Sequence, residues 1–301
     1  MPKMELGIII PTIARPYLSE TIQAIKIDAL ASPHIETKIF VVSDGDKAFE
    51  ENDAKLHQIR KWESGISLVH LKNTGTGVSS ALNTGLNKIN REGLFMIFTD
   101  DDSWIHGRIK KLTLEIMKEG APDLLLAKSI VRDERGSKLR PTRNISESEN
   151  ILEYLYAGYP LLTNPTYFSL ASSIAKGHLA SIPFRTEVTS HEDVIWLYNV
   201  QELGFRVSGT DVVAAELFVS LERSYLREAK GQEYEFLEWL KRKNSKVYVN
   251  YRWVHAMRAA SKFGKFIDNF RYYRKLYSTS SPNSRQLMIA IFTLAYTILL
   301  N

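Results

Sequence analysis

The feature that most constrains the fold is a repeated order of segments: an apolar run, a polar turn and then a helical pattern. Apolar or nearly apolar runs cover residues 5–10, 39–42, 66–71 and 93–98, and polar residues follow each run. Runs with little alternation are typical of strands buried on both faces. Their alternation with helices predicts an α/β fold, a mostly parallel sheet flanked by helices.

A proline and several polar residues stand within two positions of the ends of these predicted strands, or continue from there. They are Pro11 and Thr12 after the first, Asp44 after the second, Asn73 after the third, and Asp100, Asp101 and Asp102 after the fourth. Because the carboxyl ends of parallel strands meet at one edge of a sheet, a ligand is expected there. Three adjacent carboxylates favour a hard divalent cation with a phosphorylated ligand, although a solvated acidic loop is the alternative.

Two helix starts add to this pattern. Residues 74–80 are rich in glycine and serine, so the helix that they open could offer its free amides to a phosphate, or could simply be capped. Glu192 and Asp193 stand at the start of another predicted helix, where the helix dipole favours ionised carboxylates. The alternative is that Ser190 or Asp193 is only an N-cap.

In this order, the segments resemble the inverting glycosyltransferases of family 2, which have the GT-A fold and bind nucleotide sugars. The resemblance covers about residues 5–215, including Asn83 in the glycine- and serine-rich helix. It implies that Asp193 is the catalytic base, that Glu192 binds the acceptor and that Asp102 ligates Mn²⁺ or Mg²⁺. The nucleotide-sugar-binding residues that it implies are Pro11, Thr12, Asp44, Asn73, Asp100 and Asp101.

The resemblance also implies a reaction. A hexose or N-acetylhexosamine would move from a UDP-sugar to a hydroxyl of a glycan or lipid-linked acceptor, in the assembly of a surface polysaccharide or glycoconjugate. A dTDP-sugar is the alternative donor, because Asp44 could accept from either pyrimidine. A divalent cation would act as a Lewis acid toward the departing diphosphate. Asp193 would take the proton of the acceptor hydroxyl, with His191 as a rival base.

The chain departs from the family pattern at two places. Many relatives have an arginine where this chain has Leu82, and the replacement could be Lys72, Lys88 or Arg91. Some relatives supply a histidine metal ligand after the base, a position for which this chain offers no histidine. Glu216, Glu222 or water could complete the metal shell instead.

Composition sets the domain boundaries and excludes some classes of protein. The chain has no cysteine, which excludes disulfides and thiolate metal sites. We expect a catalytic domain over residues 1–225, with a nucleotide-sugar half at about 1–103 and an acceptor half at about 104–225. Residues 226–301 are expected to form a helical C-terminal extension. The first residues form a strand rather than a signal peptide, which favours a cytoplasmic location.

The extension carries the basic character of the chain. Between Lys241 and Gln286 stand twelve Lys or Arg residues and one acid, mixed with aromatic residues. Such a segment suits an anionic membrane surface, here the inner face of the cell membrane. It also suits nucleic acid or a solvated helix face, but the acid-rich remainder of the chain would repel a phosphate backbone, so no nucleic acid is expected.

The end of the extension is apolar. Residues 287–300 carry no charge but fall short of the roughly 20 residues that a spanning helix needs. This segment could enter the membrane surface, pack on the protein or pair with a second copy, so a homo-oligomer through the C-terminal helices is one expectation. An inactive nucleotide-sugar-binding scaffold is a further alternative, against which the presence of Asp100, Asp102 and Asp193 counts.

Overall fold

The computed structural model describes residues 3–59, 64–133, 136–156, 169–188, 190–218 and 234–251. The strands in these ranges are β1 (Met4–Thr12), β2 (Ile35–Ser43), β3 (Ile66–Lys72), β4 (Leu94–Ile97), β5 (Ser103–Trp104), β6 (Leu124–Asp133), β7 (Gly136–Arg140), β8 (Ser173–Lys176) and β9 (Val207–Phe218). The α-helices are α1 (Leu18–Leu30), α2 (Asp46–Ile59), α3 (Gly77–Leu86), α4 (Arg108–Ile116), α5 (Ile151–Tyr156), α6 (Glu192–Glu202) and α7 (Tyr234–Lys243).

The strands form one sheet in the order β3-β2-β1-β4-β8-β6-β9-β5, with β7 paired to β6. The first four strands of this order are parallel, as the sequence predicts. Beyond β4 the sheet is mixed, because β8 pairs antiparallel with both β4 and β6 whereas β9 runs parallel to β6. The parallel half places the carboxyl ends of β1 to β4 at one edge.

The inner strands of the parallel half are buried on both faces, whereas the edge strand β3 is partly exposed. Every residue of β1 from Leu6 to Thr12 is buried, and β4 is buried throughout. Helices cover the sheet and bury their own apolar stripes, such as Ile22 and Ile25 of α1. At Gly85 of α3, an added Cβ would lie 2.4 Å from a methyl carbon of Ile9, so only glycine permits this approach of α3 to β1.

The middle of the chain partly follows its predicted pattern. The strand-like run at residues 123–131, followed by the charged stretch at residues 132–136, predicts an exposed hairpin. This prediction is confirmed, since β6 and β7 pair antiparallel. The apolar and aromatic run at residues 167–171 predicts a further strand. This prediction is wrong for the described part, because Leu170–Ser172 form a 3-10 helix and the strand follows as β8. Ser169 Oγ accepts from Ala171 N at 3.1 Å, and such local side-chain hydrogen bonds favour a tight turn over a strand.

A buried arginine joins β5 to β9. Arg108, the first residue of α4, is fully buried and donates from Nη1 to the carbonyl of Ala214 at 3.0 Å. Its guanidinium lies 4.2 Å from the ring centroid of Trp104 in β5, and burial lowers its pKa to about 9, with Asp28 as the nearby counter-charge. These contacts fix the end of β9 beside the loop that carries the acidic triplet.

The chain divides into two compact units. One contains Met1–Ile151 with Thr166–Ser224, and the other contains Leu152–Pro165 with Tyr225–Asn301. In the second unit, α7 confirms the helix expected after residue 233, and residues 245–251 are also helical. Among the described residues, no helix combines the length and the apolar character that crossing a membrane requires. Residues 252–301, on which the membrane, nucleic-acid and oligomer expectations depend, lie outside the described residues.

Candidate active site

The polar residues predicted to meet at the sheet edge do meet there. Thr12 Oγ1 donates to Asp100 Oδ2 at 2.5 Å, which joins the end of β1 to the acidic triplet after β4. The backbone N–H of Asp44 donates to the carbonyl of Thr12 at 2.9 Å. Pro11 lies one residue before Thr12 and is buried in β1. Thr12, Asp44 and Asp100 therefore form one continuous edge across three neighbouring strands.

Asn73 holds Asp44 in place. The Asn73 Nδ2 group donates to Asp44 Oδ1 at 2.8 Å and to the carbonyl of Gly77 at 3.4 Å, so both of its protons are engaged within the protein. Gly77 has φ +83° and donates its N–H to Asp44 Oδ2 at 2.9 Å. Both oxygens of Asp44 are thus oriented, and each keeps a further lone pair for a ligand. Asn73 positions this carboxylate rather than reaching outward itself.

The acidic triplet is paired with an arginine from the end of β1. Arg15 Nη1 lies 3.5 Å from Asp100 Oδ1 and also contacts Asp101 Oδ2. Thr12 Oγ1 accepts from Ala14 N at 3.1 Å, and this hydrogen bond shapes the loop from Thr12 to Arg15. Burial raises the pKa of Asp100, while the hydrogen bond from Thr12 and the charge of Arg15 act in the opposite direction.

Asp102 faces a different set of partners. One of its oxygens accepts from Thr99 Oγ1, and the other accepts from the backbone N–H of Phe218 in β9 at 3.3 Å. Burial, with a smaller contribution from the charge of Asp101, raises the pKa of Asp102 to about 6. Because burial opposes the ionisation of Asp102, a bound cation would stabilise the ionised form of this carboxylate.

These carboxylates suit Mg²⁺ or Mn²⁺ as partial ligands. Within the ranges that the structure describes, no three His, Asp or Glu side chains are placed to enclose a metal ion. Mg²⁺ usually binds through only one or two carboxylates, with water and phosphate oxygens completing the shell. Asp102 keeps one free lone pair on each oxygen, so the residues fit a cation that a phosphorylated ligand shares.

The second pair of predicted acids lies at the start of α6. Glu192 and Asp193 occupy the first turn of this helix, after His191 in the left-handed conformation at φ +58°. Asp193 Oδ1 accepts from the backbone N–H of Val194 at 2.8 Å. The first-turn position places the carboxylate at the positive end of the helix dipole, which favours its ionised form.

Asn83 of α3 connects the sheet edge that carries Asp44 to the segment that precedes α6. Its Nδ2 donates to the carbonyl of Phe184 at 2.9 Å, and its Oδ1 accepts from the N–H of Phe184 at 2.8 Å. Phe184 stacks on Trp196 of α6, with ring centroids 5.2 Å apart and planes 9° from parallel. One asparagine therefore links the helix that begins beside Asp44 to the helix that carries Asp193.

Of the residues considered as substitutes for the family arginine, Lys72 lies at the same sheet edge, opposite Ser43 at the end of β3, whereas Lys88 and Arg91 lie away from it. Leu82 is buried in the core, and Lys72 pairs with Asp46 at 2.5 Å. Lys88 follows the end of α3, about 15 Å along the helix axis from its start beside Asp44. Arg91 precedes β4 and lines a cleft with Met4 and Leu94, at the opposite end of the strands.

Of the two glutamates considered as substitutes for the histidine metal ligand, one lies in the described part of the chain. Glu216 lies opposite Ser103 in the β5–β9 pairing, and its Oε1 contacts Arg132 Nε. Glu222 lies outside the described residues. Glu216 is therefore paired opposite Ser103, the residue that follows the acidic triplet, but Arg132 already neutralises its charge.

Sequence reasoning missed two partners of the acidic triplet. Arg15 follows Thr12 by three residues, and its position in the loop after β1 was the available signal. Phe218 contributes through its backbone N–H, which side-chain chemistry cannot reveal.

Comparisons with known proteins agree with this architecture. The family model described as "Glycosyl transferase family 2" matches residues 7–176. A search of curated proteins found no match. The structure of S. aureus TarS 1–349 aligns with TM-score 0.60 and 17% identity, over 91% of this chain and 79% of that one.

Two solved complexes are also similar to this chain. S. aureus TarS 1–349 in complex with UDP-GlcNAc aligns with TM-score 0.53 and 20% identity, over 72% of this chain and 59% of that one. The mannosyltransferase PcManGT from Pyrobaculum calidifontis, in complex with GDP-Man and Mn²⁺, aligns with TM-score 0.50 and 15% identity, over 100% of this chain and 76% of that one.

These alignments support the fold, and the family match covers more than half of the chain. The curled mixed sheet with its flanking helices is the GT-A fold that the sequence resemblance implied. The chain belongs to glycosyl transferase family 2 and is a glycosyltransferase.

Proposed function

We propose that this glycosyltransferase is metal-dependent and inverting, and that it moves a hexose or N-acetylhexosamine from a UDP-sugar to a hydroxyl of a glycan or lipid-linked acceptor. The observation that carries the proposal is the continuous edge from Asn73 and Asp44 through Thr12 to the acidic triplet at Asp100. Along this edge lie an oriented carboxylate, Asp44, that could accept from a nucleobase, and the acidic triplet, whose carboxylates could hold a cation beside a diphosphate.

Asp44 is proposed to bind the nucleobase. A pyrimidine with an N3–H can donate to a carboxylate oxygen, and Asp44 is held for such a contact by Asn73 and Gly77. UDP and dTDP both satisfy this requirement. The TarS complex with UDP-GlcNAc shows that a similar fold accommodates a uridine donor in that protein.

Asp102 is proposed to hold Mn²⁺ or Mg²⁺ together with the donor diphosphate. The bound cation would act as a Lewis acid that stabilises the negative charge of the departing diphosphate. Thr99 and Phe218 keep the Asp102 carboxylate in one orientation. Asp100, fixed by Thr12, would accept a hydrogen bond from the ribose or the donor sugar.

Asp193 is proposed as the general base. As the bond between the acceptor oxygen and the anomeric carbon forms, the bond from that carbon to the diphosphate breaks and the diphosphate leaves with the electron pair. The acceptor proton passes to the Asp193 carboxylate. Attack opposite the leaving group inverts the anomeric centre. Glu192, beside Asp193 in the first turn of α6, would bind or orient the acceptor.

The acceptor is proposed to be presented at an anionic membrane surface. The support is the basic and aromatic composition between Lys241 and Gln286. Cations on such a segment gain free energy beside acidic lipid headgroups, and aromatic rings favour the boundary between headgroup and acyl chain. This placement would suit an enzyme of surface polysaccharide or glycoconjugate assembly working on the cytoplasmic side.

Two matched variants test the assignment of roles. Asp102→Asn should abolish the Mn²⁺-dependent part of UDP binding, because the amide has no charge to hold the cation. Asp193→Asn should keep UDP binding and lose transfer by about 10²-fold or more, since positioned base catalysis contributes on that scale. Calorimetry with UDP and measurement of UDP release from UDP-sugars check both variants. Equal loss of UDP affinity in both would contradict the proposed roles.

A further inference from the structure

We propose that Arg15 is the cation that binds the donor diphosphate and that Asp101 holds it in place until the donor arrives. This inference rests on the proposed function and assigns a role to a side chain that the family resemblance did not supply. It also changes the expected role of Asp101, which would act on the donor through Arg15 rather than by direct contact.

The strand order places Arg15 on the path of the donor. The edge runs from Asp44 after β2, across the end of β1, to the acidic triplet after β4. Neighbouring strands lie about 4.8 Å apart, so roughly 10 Å separate the proposed base-binding carboxylate from the triplet. A nucleoside diphosphate that joins these two points crosses the end of β1, and Arg15 is in the loop that follows that end.

The loop after β1 turns Arg15 toward the triplet. Thr12 Oγ1 donates to Asp100 and accepts from Ala14 N, which ties the loop to the acidic side chains. Ala14 has φ +66°, a left-handed conformation that is unfavourable for a residue with a Cβ. A non-glycine residue in this conformation is kept where the surrounding structure requires that direction of the chain, and here the direction brings Arg15 to Asp100 and Asp101.

Arg15 resembles an anion-binding residue whose anion is, in this structure, a pair of carboxylates of the protein. Its guanidinium contacts two carboxylates, and its side chain is 31% exposed. A guanidinium presents several N–H donors in one plane, and these match the oxygens of a carboxylate or of a phosphate equally well. Asp101, whose side chain is 34% exposed, can release this contact to an incoming diphosphate without burying an unpaired charge.

The other cations considered for this role are placed less well. Lys72 is paired with Asp46, Lys88 lies beyond the end of α3, and Arg91 lies at the amino-terminal ends of the strands. Among the described residues, Arg15 is the cation in contact with the acidic triplet. It therefore supplies the charge that the missing family arginine would have brought to the diphosphate.

The test measures UDP and uridine binding by calorimetry and ligand-observed NMR. Arg15→Ala should weaken UDP binding by at least about tenfold, as expected for loss of a charge-assisted hydrogen bond, and should leave uridine binding unchanged. Arg15→Lys should recover part of the loss. Arg91→Ala removes an exposed arginine at the other end of the strands and is the matched control, for which no change is expected.

A double-mutant cycle tests the role of Asp101. In EDTA, Asp101→Asn should tighten UDP binding, because Arg15 then keeps only the longer contact with Asp100, at 3.5 Å. That gain should vanish in the Arg15→Ala background. A gain in UDP affinity that persists without Arg15 would mean that Asp101 acts only by repelling the donor. A loss of UDP affinity in both backgrounds would mean that Asp101 contacts the donor directly. Either result overturns the proposal that Asp101 holds Arg15 until the donor binds.

The outcomes separate this inference from the proposed function. If the wild-type protein binds UDP but Arg15→Ala binds it equally well, the inference about Arg15 is wrong and the donor assignment stands. Equal loss of UDP and uridine in Arg15→Ala would indicate a role in the fold, which also contradicts the inference. If the wild type binds GDP instead, the same cycle applies with GDP and guanosine. If it binds no nucleoside diphosphate, the proposed function itself fails.

Discussion

At the scale of single residues, the site combines carboxylates of unequal character. Asp44 has both oxygens oriented by hydrogen bonds from Asn73 and Gly77, whereas Asp102 is buried enough for its pKa to rise to about 6. The first arrangement suits recognition of a neutral donor group, and the second suits a cation. The same residue type is therefore suited to two different proposed roles, because the surrounding strands and loops differ.

The raised pKa of Asp102 predicts a stability cost that depends on pH. Its native pKa lies above the ordinary 3.8, so the folded state holds the proton more tightly and stability falls as pH rises from about 4 to 6. Asp102→Asn cannot ionise. In EDTA at pH 7.5 it should be more stable than the wild type by about 1–3 kcal/mol, and the difference should shrink toward pH 4.5.

Urea unfolding of both proteins at the two pH values checks this prediction. Asp46→Asn is the matched control, because Asp46 is a 77% exposed carboxylate and its loss should change stability little at either pH. A less stable Asp102→Asn protein at pH 7.5, or a difference that does not depend on pH, would contradict the account of this carboxylate.

At the scale of secondary structure, α3 organises the site. Its start presents the Gly77 N–H to Asp44, its middle carries Asn83, and its close packing on β1 requires Gly85. The helix thus joins the proposed nucleoside side of the site to the segment that leads into α6. A change in α3 should affect transfer more than it affects nucleotide binding.

Asn83→Ala tests this link. Loss of the two hydrogen bonds leaves the buried backbone groups of Phe184 without partners, so the free energy of unfolding should fall by about 1–3 kcal/mol. Transfer should fall more than UDP affinity, because Phe184 and Trp196 position α6. Asn87→Ala, at the exposed end of the same helix, serves as control in urea unfolding and activity assays. Equal stability of the two variants would contradict the proposed link.

The sequence predicted the parallel half of the sheet well because buried parallel strands appear as local apolar runs. It predicted the edge residues Thr12, Asp44, Asn73 and Asp100 for the same reason, since each lies at the end of its strand or within three residues of that end. It did not predict the contact of Arg15 with the triplet or that of Phe218 with Asp102, because both depend on a loop conformation or a pairing between distant segments. The strand predicted at residues 167–171 was also wrong for its described part, where the side chain of Ser169 accepts a local hydrogen bond that favours a turn.

At the scale of the whole molecule, charge is divided along the chain. The segment from Lys241 to Gln286 is strongly basic, whereas the remainder is net acidic. We expect an acidic catalytic half to bind phosphates only with help from cations, here the proposed Arg15 and a divalent ion. A basic extension instead binds anionic surfaces directly. The two parts of the chain are therefore expected to respond oppositely to added metal and to acidic lipid.

Flotation with vesicles tests the membrane proposal. The protein should bind vesicles that contain phosphatidylglycerol, and replacing Arg271, Arg274 and Lys275 with glutamine should weaken that binding, because each cation near an anionic surface contributes about 1 kcal/mol. Binding should also fall with added salt. Replacement of Lys47, Lys110 and Lys118 is the control for loss of charge elsewhere. Equal binding to neutral and anionic vesicles would contradict an electrostatic attachment.

The measurement that tests the central claim most directly is calorimetric titration of the protein with UDP, dTDP, GDP and CMP, each with Mn²⁺ and with EDTA. The account predicts that UDP or dTDP binds in the presence of Mn²⁺ and that EDTA removes most of this binding. GDP and CMP should bind more weakly, because cytosine has no N3–H to donate to Asp44, and guanine, whose N1–H can donate, is a larger purine. Absence of binding by all four nucleotides with Mn²⁺ present would contradict the claim that this edge of the sheet is a metal-assisted nucleotide-sugar site.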